Sequence, residues 1–177
     1  MASEIDGGGV RTVLAFKMEQ LRASPTEEKP IGALRLHVGE QSPKALIELP
    51  QSLSVLVAED DPINRELMQD LLGRMNQQVT FAQNGQEVLD IVSEDASFDL
   101  ILMDIDMPIL DGLSATYCLR AGEAGEFGVH VPIVALTAFN TLSDQSKFMK
   151  AGMNYFLPKP IGLRDLRDVF IEVMRLS

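Results

Sequence analysis

The sequence from residue 53 onward predicts an α/β fold, a doubly wound parallel sheet of five strands with helices on both faces. Short apolar runs alternate there with segments in which apolar residues recur every three or four positions. This alternation is typical of strands that are connected by helices. Four of the apolar runs also end on polar residues. Because parallel sheets carry their functional groups at the carboxyl ends of the strands, these residues are expected to meet at one edge.

The predicted strands are short and mostly apolar, as expected for strands that are buried on both faces. They comprise residues 53–58, 79–82, 99–103, 132–137 and 155–157. The segments between them are long enough to return the chain by right-handed crossovers. The sequence therefore predicts parallel rather than antiparallel pairing.

Helices are predicted in the connections between the strands. The first begins at Pro62, because proline is favoured in the first turn of a helix. Its apolar face is predicted to contain Leu67, Leu71, Leu72 and Met75. A second helix follows the turn at residues 84–85, and three more are predicted over residues 114–120, 144–151 and 163–176. The glycine-rich stretch 121–131 predicts a loop.

The chain divides into two parts at residue 52. Residues 53–177 are predicted to form one domain, and residues 1–52 an N-terminal extension of unknown role that is partly flexible. The first nine residues are small, polar and glycine-rich, which is typical of a loose terminus. We find no motif with a recognisable chemistry before residue 53.

Composition excludes several classes of function. The net charge of -11 and pI of about 4.5 argue against a surface for nucleic acid or for anionic lipid. No apolar run approaches the roughly 20 residues that cross a bilayer. The single cysteine, Cys118, cannot form an internal disulfide, and the sequence does not open on a signal peptide. These features predict a soluble protein of the cytoplasm.

Carboxylates follow two of the predicted strands. Glu59 and Asp60 come directly after the first strand, and Asp104 follows the third. Clustered carboxylates repel one another unless a cation or a bound proton relieves the repulsion. Mg²⁺ prefers oxygen ligands and needs only one or two carboxylates from the protein. The sequence therefore predicts a magnesium site at this edge of the sheet.

Two further polar residues suit the same edge to a phosphoryl group. Thr137 ends the fourth strand and Lys159 follows the fifth. A carboxylate at the mouth of a rigid strand, such as Asp104, can attack phosphorus and form an acyl phosphate. A hydroxyl and an ammonium group would then bind the phosphoryl oxygens.

Four motifs, in order along the chain, resemble those of the receiver domain of two-component response regulators. They are VLVAEDDPINR at 55–65, ILMDIDMP at 101–108 with Asp111-Gly112 after it, ALTA at 135–138 and PKP at 158–160. The first has the form typical of receivers that are fused to hybrid histidine kinases. The resemblance covers about residues 53–177 and implies a flavodoxin-like fold with strand order 2-1-3-4-5.

The resemblance also implies roles for individual residues. Asp104 would be the phosphoacceptor and, with Asp60, would ligate Mg²⁺ through its side chain. Glu59 would assist the metal through water, and Asp106 through its backbone carbonyl.

Thr137 and Lys159 would bind the phosphoryl group. Phe156 stands three residues before Lys159 and matches the aromatic switch position of the family. An aromatic residue that is simply buried in the strand would give the same sequence pattern. Movement of Thr137 towards the phosphoryl group would then let Phe156 turn inward.

By this resemblance the chain is a phosphoacceptor signalling domain and not an enzyme, beyond its own phosphorylation and dephosphorylation. Its partner would be a histidine phosphotransfer protein or a sensor histidine kinase that docks near the first helix.

Two alternatives stay open at this point. One is a receiver that acts as an interaction module without being phosphorylated. The other is a phosphatase resembling the haloacid dehalogenase superfamily, which also uses an Asp-x-Asp motif. Asp104 and Asp106 fit that motif, but Pro108 stands where that family has threonine.

Overall fold

The structure is a computed structural model that describes residues 52–138 and 141–175. Apart from Ser52, the predicted N-terminal extension lies outside the described residues. The described part of the chain alternates strands and helices from Ser54 to Met174.

The five strands form one parallel sheet in the order β2-β1-β3-β4-β5. This confirms the predicted class and strand order. The strands are β1 Ser54–Ala58, β2 Gln78–Ala82, β3 Leu100–Asp104, β4 Ile133–Thr137 and β5 Tyr155–Pro158. The three central strands β1, β3 and β4 are almost wholly buried, whereas the edge strand β2 alternates between exposed and half-buried residues.

The helices are α1 Pro62–Arg74, α2 Gly85–Glu94, α3 Gly112–Arg120, α4 Glu126–His130, α5 Leu142–Ala151 and α6 Leu163–Met174. Four of them begin at side chains that accept hydrogen bonds from the first backbone N–H groups, which are otherwise unsatisfied. These caps are Asp61, Asn84, Asp111 and Thr141. None of the helices in the described ranges is long and apolar enough to cross a membrane.

The apolar core forms one layer on each face of the sheet, because successive strand residues point to opposite faces. One layer contains Ile101 and Met103 of β3 and packs against α2, α3 and α5. The other contains Leu100 and Leu102 and packs against α1 and α6. The core thus fixes the strands rigidly and leaves their carboxyl ends to carry polar residues.

The stretch predicted as a loop contains a helix, α4, so that part of the prediction is wrong. The two flanking residues Ala124 and Val131 are buried, and Phe127 packs against the core. Arg120 also donates a hydrogen bond of 2.7 Å to the carbonyl of Gly128. Tertiary contacts of this kind override the low helix propensity of glycine.

The buried face of α1 is rotated relative to the prediction. Met68, Leu71 and Leu72 are its buried residues, whereas Leu67 is 45% exposed. Ile63, one turn earlier, is 75% exposed. The helix therefore presents two large apolar side chains to solvent.

Candidate functional site

The carboxyl edge of the sheet brings together side chains from three strands and their following loops. The ammonium nitrogen of Lys159 lies 2.7 Å from Asp104 Oδ2 and 2.9 Å from Glu59 Oε2. These contacts join residues that are 55 and 100 positions apart in the sequence. Three of the residues predicted for the site therefore meet in one ion-paired group.

Strand register explains the position of Lys159. Thr137, the last residue of β4, is paired with Pro158, and the backbone N–H of Lys159 donates to the carbonyl of Thr137 at 2.7 Å. Asp104 is paired with Leu136 on the other side of β4. Asp104, Thr137 and Lys159 thus lie within two residues of one another along the carboxyl edge of the sheet.

An acidic cluster lies in the same place. One carboxylate oxygen each from Glu59, Asp60 and Asp104 lie within 4.8 Å of one another. Glu59 and Asp104 are buried, and Asp60 is exposed. Three hard oxygen donors with one open side match the ligand preference of Mg²⁺, which keeps several waters. The donor set therefore fits the predicted ion.

Asp106 is exposed two residues beyond Asp104, and its carboxylate is not among the clustered oxygens. Its predicted contribution through the backbone carbonyl stays a prediction.

Burial controls the charges at the site. Burial raises the pKa of Asp104 above its ordinary value, the Lys159 hydrogen bond opposes this rise, and the nearby charge of Glu59 adds to it. Burial by itself would lower the pKa of Lys159, but its hydrogen bonds to Asp104 and Glu59 raise it overall. Lys159 is therefore held as a cation between two carboxylates, one of which bears its charge at a cost.

Thr137 and Phe156, the predicted switch pair, are both buried, with exposed fractions of 1% and 4%. Phe156 is paired with Ala135 in the sheet and lies in the same core layer as α3 and α5. This is the position expected of a core residue as well as of a switch in its inward state.

Two residues at the site were not singled out from the sequence. Asn64 Nδ2 donates to Glu59 Oε1 at 3.0 Å. Arg65 Nη1 donates to the carbonyls of Glu59 at 3.0 Å and Asp60 at 2.7 Å. Their place in the first turn of a helix that follows an acidic strand end is the signal that could have identified them.

Large apolar side chains are exposed beside this edge. Ile63 and Leu67 lie in the first two turns of α1, and Ile109, which is 84% exposed, lies in the loop between β3 and α3. We call these three residues the apolar rim. Exposed apolar side chains next to a polar site are typical of surfaces that bind a partner.

A cavity of about 600 Å³ lies at the opposite end of the sheet. Asn154, one of its lining residues, directly precedes β5, and its side chain accepts from the N–H of Ile133, the first residue of β4. Arg120, which also lines the cavity, donates to Gly152 O, Gly128 O and Asn154 Oδ1. Since these contacts hold helix ends together, we assign Arg120 a structural role.

The chain matches known proteins over the part that contains this site. The family model for the response regulator receiver domain matches residues 55–171. Hybrid signal transduction histidine kinase I of Dictyostelium discoideum is 42% identical over 125 residues, which are 68% of this chain and 7% of that kinase. Two-component response regulator 24 of Arabidopsis thaliana is 34% identical over 131 residues, which are 73% of this chain and 91% of that protein.

Solved structures agree with these matches. The receiver domain of sensor histidine kinase PA1611 from Pseudomonas aeruginosa, with magnesium in its active site cleft, is 33% identical to this chain, with a TM-score of 0.64. The match covers 71% of this chain and 99% of the PA1611 receiver chain. The receiver domain of Ssk1, in complex with the histidine phosphotransfer protein Ypd1 of Saccharomyces cerevisiae, is 33% identical to this chain, with a TM-score of 0.62. The match covers 68% of this chain and 88% of the matched chain.

The family match favours a receiver over the phosphatase alternative. The chain spans only a small fraction of the first hybrid kinases that it matches, 7% in two of them. Within residues 55–171, the chain belongs to the response regulator receiver domain family of two-component signal transduction.

Proposed function

We propose that the chain is a phosphorelay receiver that accepts a phosphoryl group on Asp104 and then presents a changed surface to its partner. The observation that supports this most directly is the position of Lys159, whose ammonium group contacts Asp104 at 2.7 Å beside the acidic cluster. A cation placed there can balance the charge of an incoming phosphoryl group. Strand ends held by a buried core provide the rigid placement that such a transfer requires.

The transfer is a displacement at phosphorus. A carboxylate oxygen of Asp104 attacks the phosphorus of a phosphohistidine, and the new O–P bond forms as the P–N bond breaks. The electron pair of that bond stays with the imidazole nitrogen, which leaves with the donor protein. Lys159 stays beside the phosphoryl oxygens as a cation, and the Thr137 hydroxyl donates a hydrogen bond to one of them.

The acidic cluster would hold Mg²⁺ through the side chains of Asp60 and Asp104, with Glu59 acting through water and Asp106 through its backbone carbonyl. When bound, the ion supplies positive charge that screens the phosphoryl oxygens from the surrounding carboxylates.

Phosphorylation would shift the population of two surface states. The acyl phosphate adds negative charge and acceptor oxygens at the end of β3. Thr137 would move towards them, and Phe156 would respond because it lies in the core layer beneath the neighbouring helices. The surface formed by β4, β5, α5 and α6 would change as a result.

The proposed partner is a histidine phosphotransfer protein or a sensor histidine kinase in the cytoplasm. The apolar rim supports this, because it flanks the acidic cluster on α1 and on the loop after β3. The complex of Ypd1 with a similar receiver also favours this class of partner.

The test is phosphorylation followed by intact mass spectrometry. The protein is incubated with acetyl phosphate and Mg²⁺, beside Asp104→Asn and Asp104→Ala. We expect a gain of one phosphoryl group that requires Mg²⁺ and that is lost in both variants. If the acyl phosphate is too short-lived for mass spectrometry, beryllofluoride binding measured by amide NMR shifts replaces it as the test.

Absence of both the mass gain and the beryllofluoride response would contradict phosphorylation. It would favour the alternative of a receiver that acts by binding alone.

A further inference from the structure

The first turn of α1 places two side chains against the acidic loop that precedes it. Asn64 contacts the carboxylate of Glu59, and Arg65 contacts the backbone carbonyls of Glu59 and Asp60. Neither contact is made with the phosphoacceptor Asp104. Both contacts instead act on residues that supply oxygens to the proposed cation site.

Asn64 completes the set of hydrogen bonds around Glu59. Oε1 accepts from the Asn64 amide at 3.0 Å and from the backbone N–H of Asp61 at 3.3 Å, while Oε2 accepts from Lys159 at 2.9 Å. Glu59 is only 1% exposed, so its carboxylate depends on donors from the protein. Rotation of this carboxylate would break these hydrogen bonds and leave its buried oxygens unpaired, which is unfavourable. The Asn64 amide therefore fixes the plane of the Glu59 carboxylate relative to Lys159.

Arg65 acts on the backbone of the same loop. One guanidinium nitrogen, Nη1, reaches two successive carbonyl oxygens at 3.0 and 2.7 Å. The side chain of Asp60 is exposed and is not held by the core, so its direction depends on the backbone that carries it. By holding both carbonyls, Arg65 holds the position from which the Asp60 carboxylate extends.

We infer that Asn64 and Arg65 are positioning residues for the cation site, which they preorganise by fixing Glu59 and Asp60. This inference rests on the proposed function, because it assumes that the acidic cluster binds Mg²⁺. Groups that orient metal ligands without touching the metal typically change metal affinity about 10- to 100-fold when they are removed. The expected effect is therefore on Mg²⁺ affinity and not on the transfer step at Asp104.

The test measures Mg²⁺ binding and phosphorylation separately. Mg²⁺ is titrated into the unaltered protein, Asn64→Ala and Arg65→Gln by isothermal calorimetry, with amide NMR shifts at residues 59–61 as a second readout. We expect the dissociation constant for Mg²⁺ to rise about 10-fold or more in both variants. At low Mg²⁺ concentration the rate of Asp104 phosphorylation by acetyl phosphate should fall in both variants, and raising the Mg²⁺ concentration should restore it.

Asn84→Ala is the matched control. Asn84 is a buried asparagine near this edge of the sheet, whereas Asn64 is half-buried. The Asn84 side chain accepts from the N–H of Glu87 and donates to the Glu87 carboxylate, both at 3.0 Å. It makes no hydrogen bond with the acidic cluster, so its loss should lower the melting temperature and leave Mg²⁺ affinity unchanged. Thermal unfolding of all variants establishes that each is folded.

Several outcomes would overturn the inference. One is an unchanged dissociation constant in both variants, with only a lower melting temperature. Another is an equal loss of affinity in the Asn84 control. A third is a fall in the phosphorylation rate that saturating Mg²⁺ does not restore. If the unaltered protein binds no Mg²⁺, the proposed function fails and this inference fails with it, whereas normal binding by all the variants contradicts the inference alone.

Discussion

Asp104 is the residue at which the folded structure places a negative charge in an unfavourable environment. Burial raises the pKa of its carboxyl group, and the charge of Glu59 raises it further against the opposing hydrogen bond from Lys159. A raised pKa means that folding favours the protonated form over the anion. The charged carboxylate of the proposed phosphoacceptor therefore lowers stability at neutral pH when no metal ion is bound.

We predict that Asp104→Asn melts a few degrees above the unaltered protein at neutral pH without Mg²⁺. The amide keeps the shape of the side chain and removes the buried charge. Adding Mg²⁺ should narrow the difference between the two melting temperatures. The reason is that the ion stabilises the unaltered protein, which keeps the Asp104 ligand, more than the variant. Differential scanning calorimetry with and without Mg²⁺ measures both effects, and a variant that melts lower under both conditions would contradict the argument.

The pH dependence of that difference has a definite sign. The folded pKa of Asp104 lies above its ordinary value of 3.8, so the folded state binds the proton more tightly than the unfolded state does. The stability contributed by this group is therefore lost as the pH rises from about 3.8 through the folded pKa. The melting temperature of Asp104→Asn should exceed that of the unaltered protein most at neutral pH. This excess should disappear as the pH falls through that window, and melting curves over a pH series measure it.

Gly112 lies at the boundary where α3 packs against the end of β3. It begins α3, and its N–H donates to the carbonyl of Ile105 at 3.0 Å. A Cβ atom on Gly112 would lie 2.0 Å from the backbone oxygen of Asp104. Only glycine allows α3 to approach the end of β3 so closely.

We predict that Gly112→Ala lowers the free energy of unfolding by about 1–3 kcal/mol, the usual cost of overpacking a core. The matched control is Gly73→Ala in α1, where an added Cβ meets nothing within 4 Å. In that variant the free energy of unfolding should rise by about 0.4–1 kcal/mol, because alanine has less conformational freedom to lose on folding. Urea unfolding of both proteins measures the contrast, and equal effects would show that the contact with Asp104 is unimportant.

Arg120 joins α3, α4, the end of α5 and the start of β5 through three hydrogen bonds. No described carboxylate lies within ion-pair distance of it, and burial lowers its pKa to about 10. Its guanidinium is held instead by oxygens of neutral groups.

We predict that Arg120→Met costs about 1–3 kcal/mol of unfolding free energy, because it removes the guanidinium hydrogen bonds to the carbonyls of Gly128 and Gly152. Arg74→Met is the control. Arg74 forms an exposed pair with Asp70 at 2.8 Å, and such pairs contribute about 0–1 kcal/mol. Chemical denaturation separates the two, and a loss at Arg120 no larger than at Arg74 would refute its structural role.

Across the whole molecule, charged and apolar surfaces meet at the carboxyl edge of the sheet. The acidic cluster lies there, and the apolar rim lies on the flanking segments. A partner that delivers a phosphohistidine to Asp104 would have to cover this edge, and apolar side chains would then supply much of the binding energy.

We predict that Ile63→Asp combined with Ile109→Asp slows phosphoryl transfer from a phosphorylated histidine phosphotransfer protein, the proposed partner, by about tenfold or more. Phosphorylation by acetyl phosphate should be unchanged, since that small donor needs no docking surface. Tyr117→Asp is the control, because Tyr117 is 54% exposed and lines the cavity at the other end of the sheet. Loss of both reactions in the double variant would point to damage to the site and not to docking.

Features of this protein that depend on local interactions could be predicted from the sequence, and features that depend on distant contacts could not. The order of strands and helices was predictable, because buried strands and amphipathic helices have local patterns. The same local rules failed at α4, where glycines predicted a loop, and at Leu67, which the helical pattern placed on the buried face of α1. The packing of the partly buried Phe127 against the core and the exposure of Leu67 depend on neighbours that lie far away in the sequence.

The sequence by itself determined the fold class, the strand order through family motifs, and the edge at which Glu59, Asp60, Asp104, Thr137 and Lys159 lie. Only the tertiary structure decided that Lys159 contacts Glu59 and Asp104 together, that Asn64 and Arg65 hold the acidic loop, and that Arg120 joins three helices. The physical reason is one of distance. Strand ends follow from local periodicity, whereas contacts between residues 55 and 100 positions apart follow only from the packing that brings those ends together.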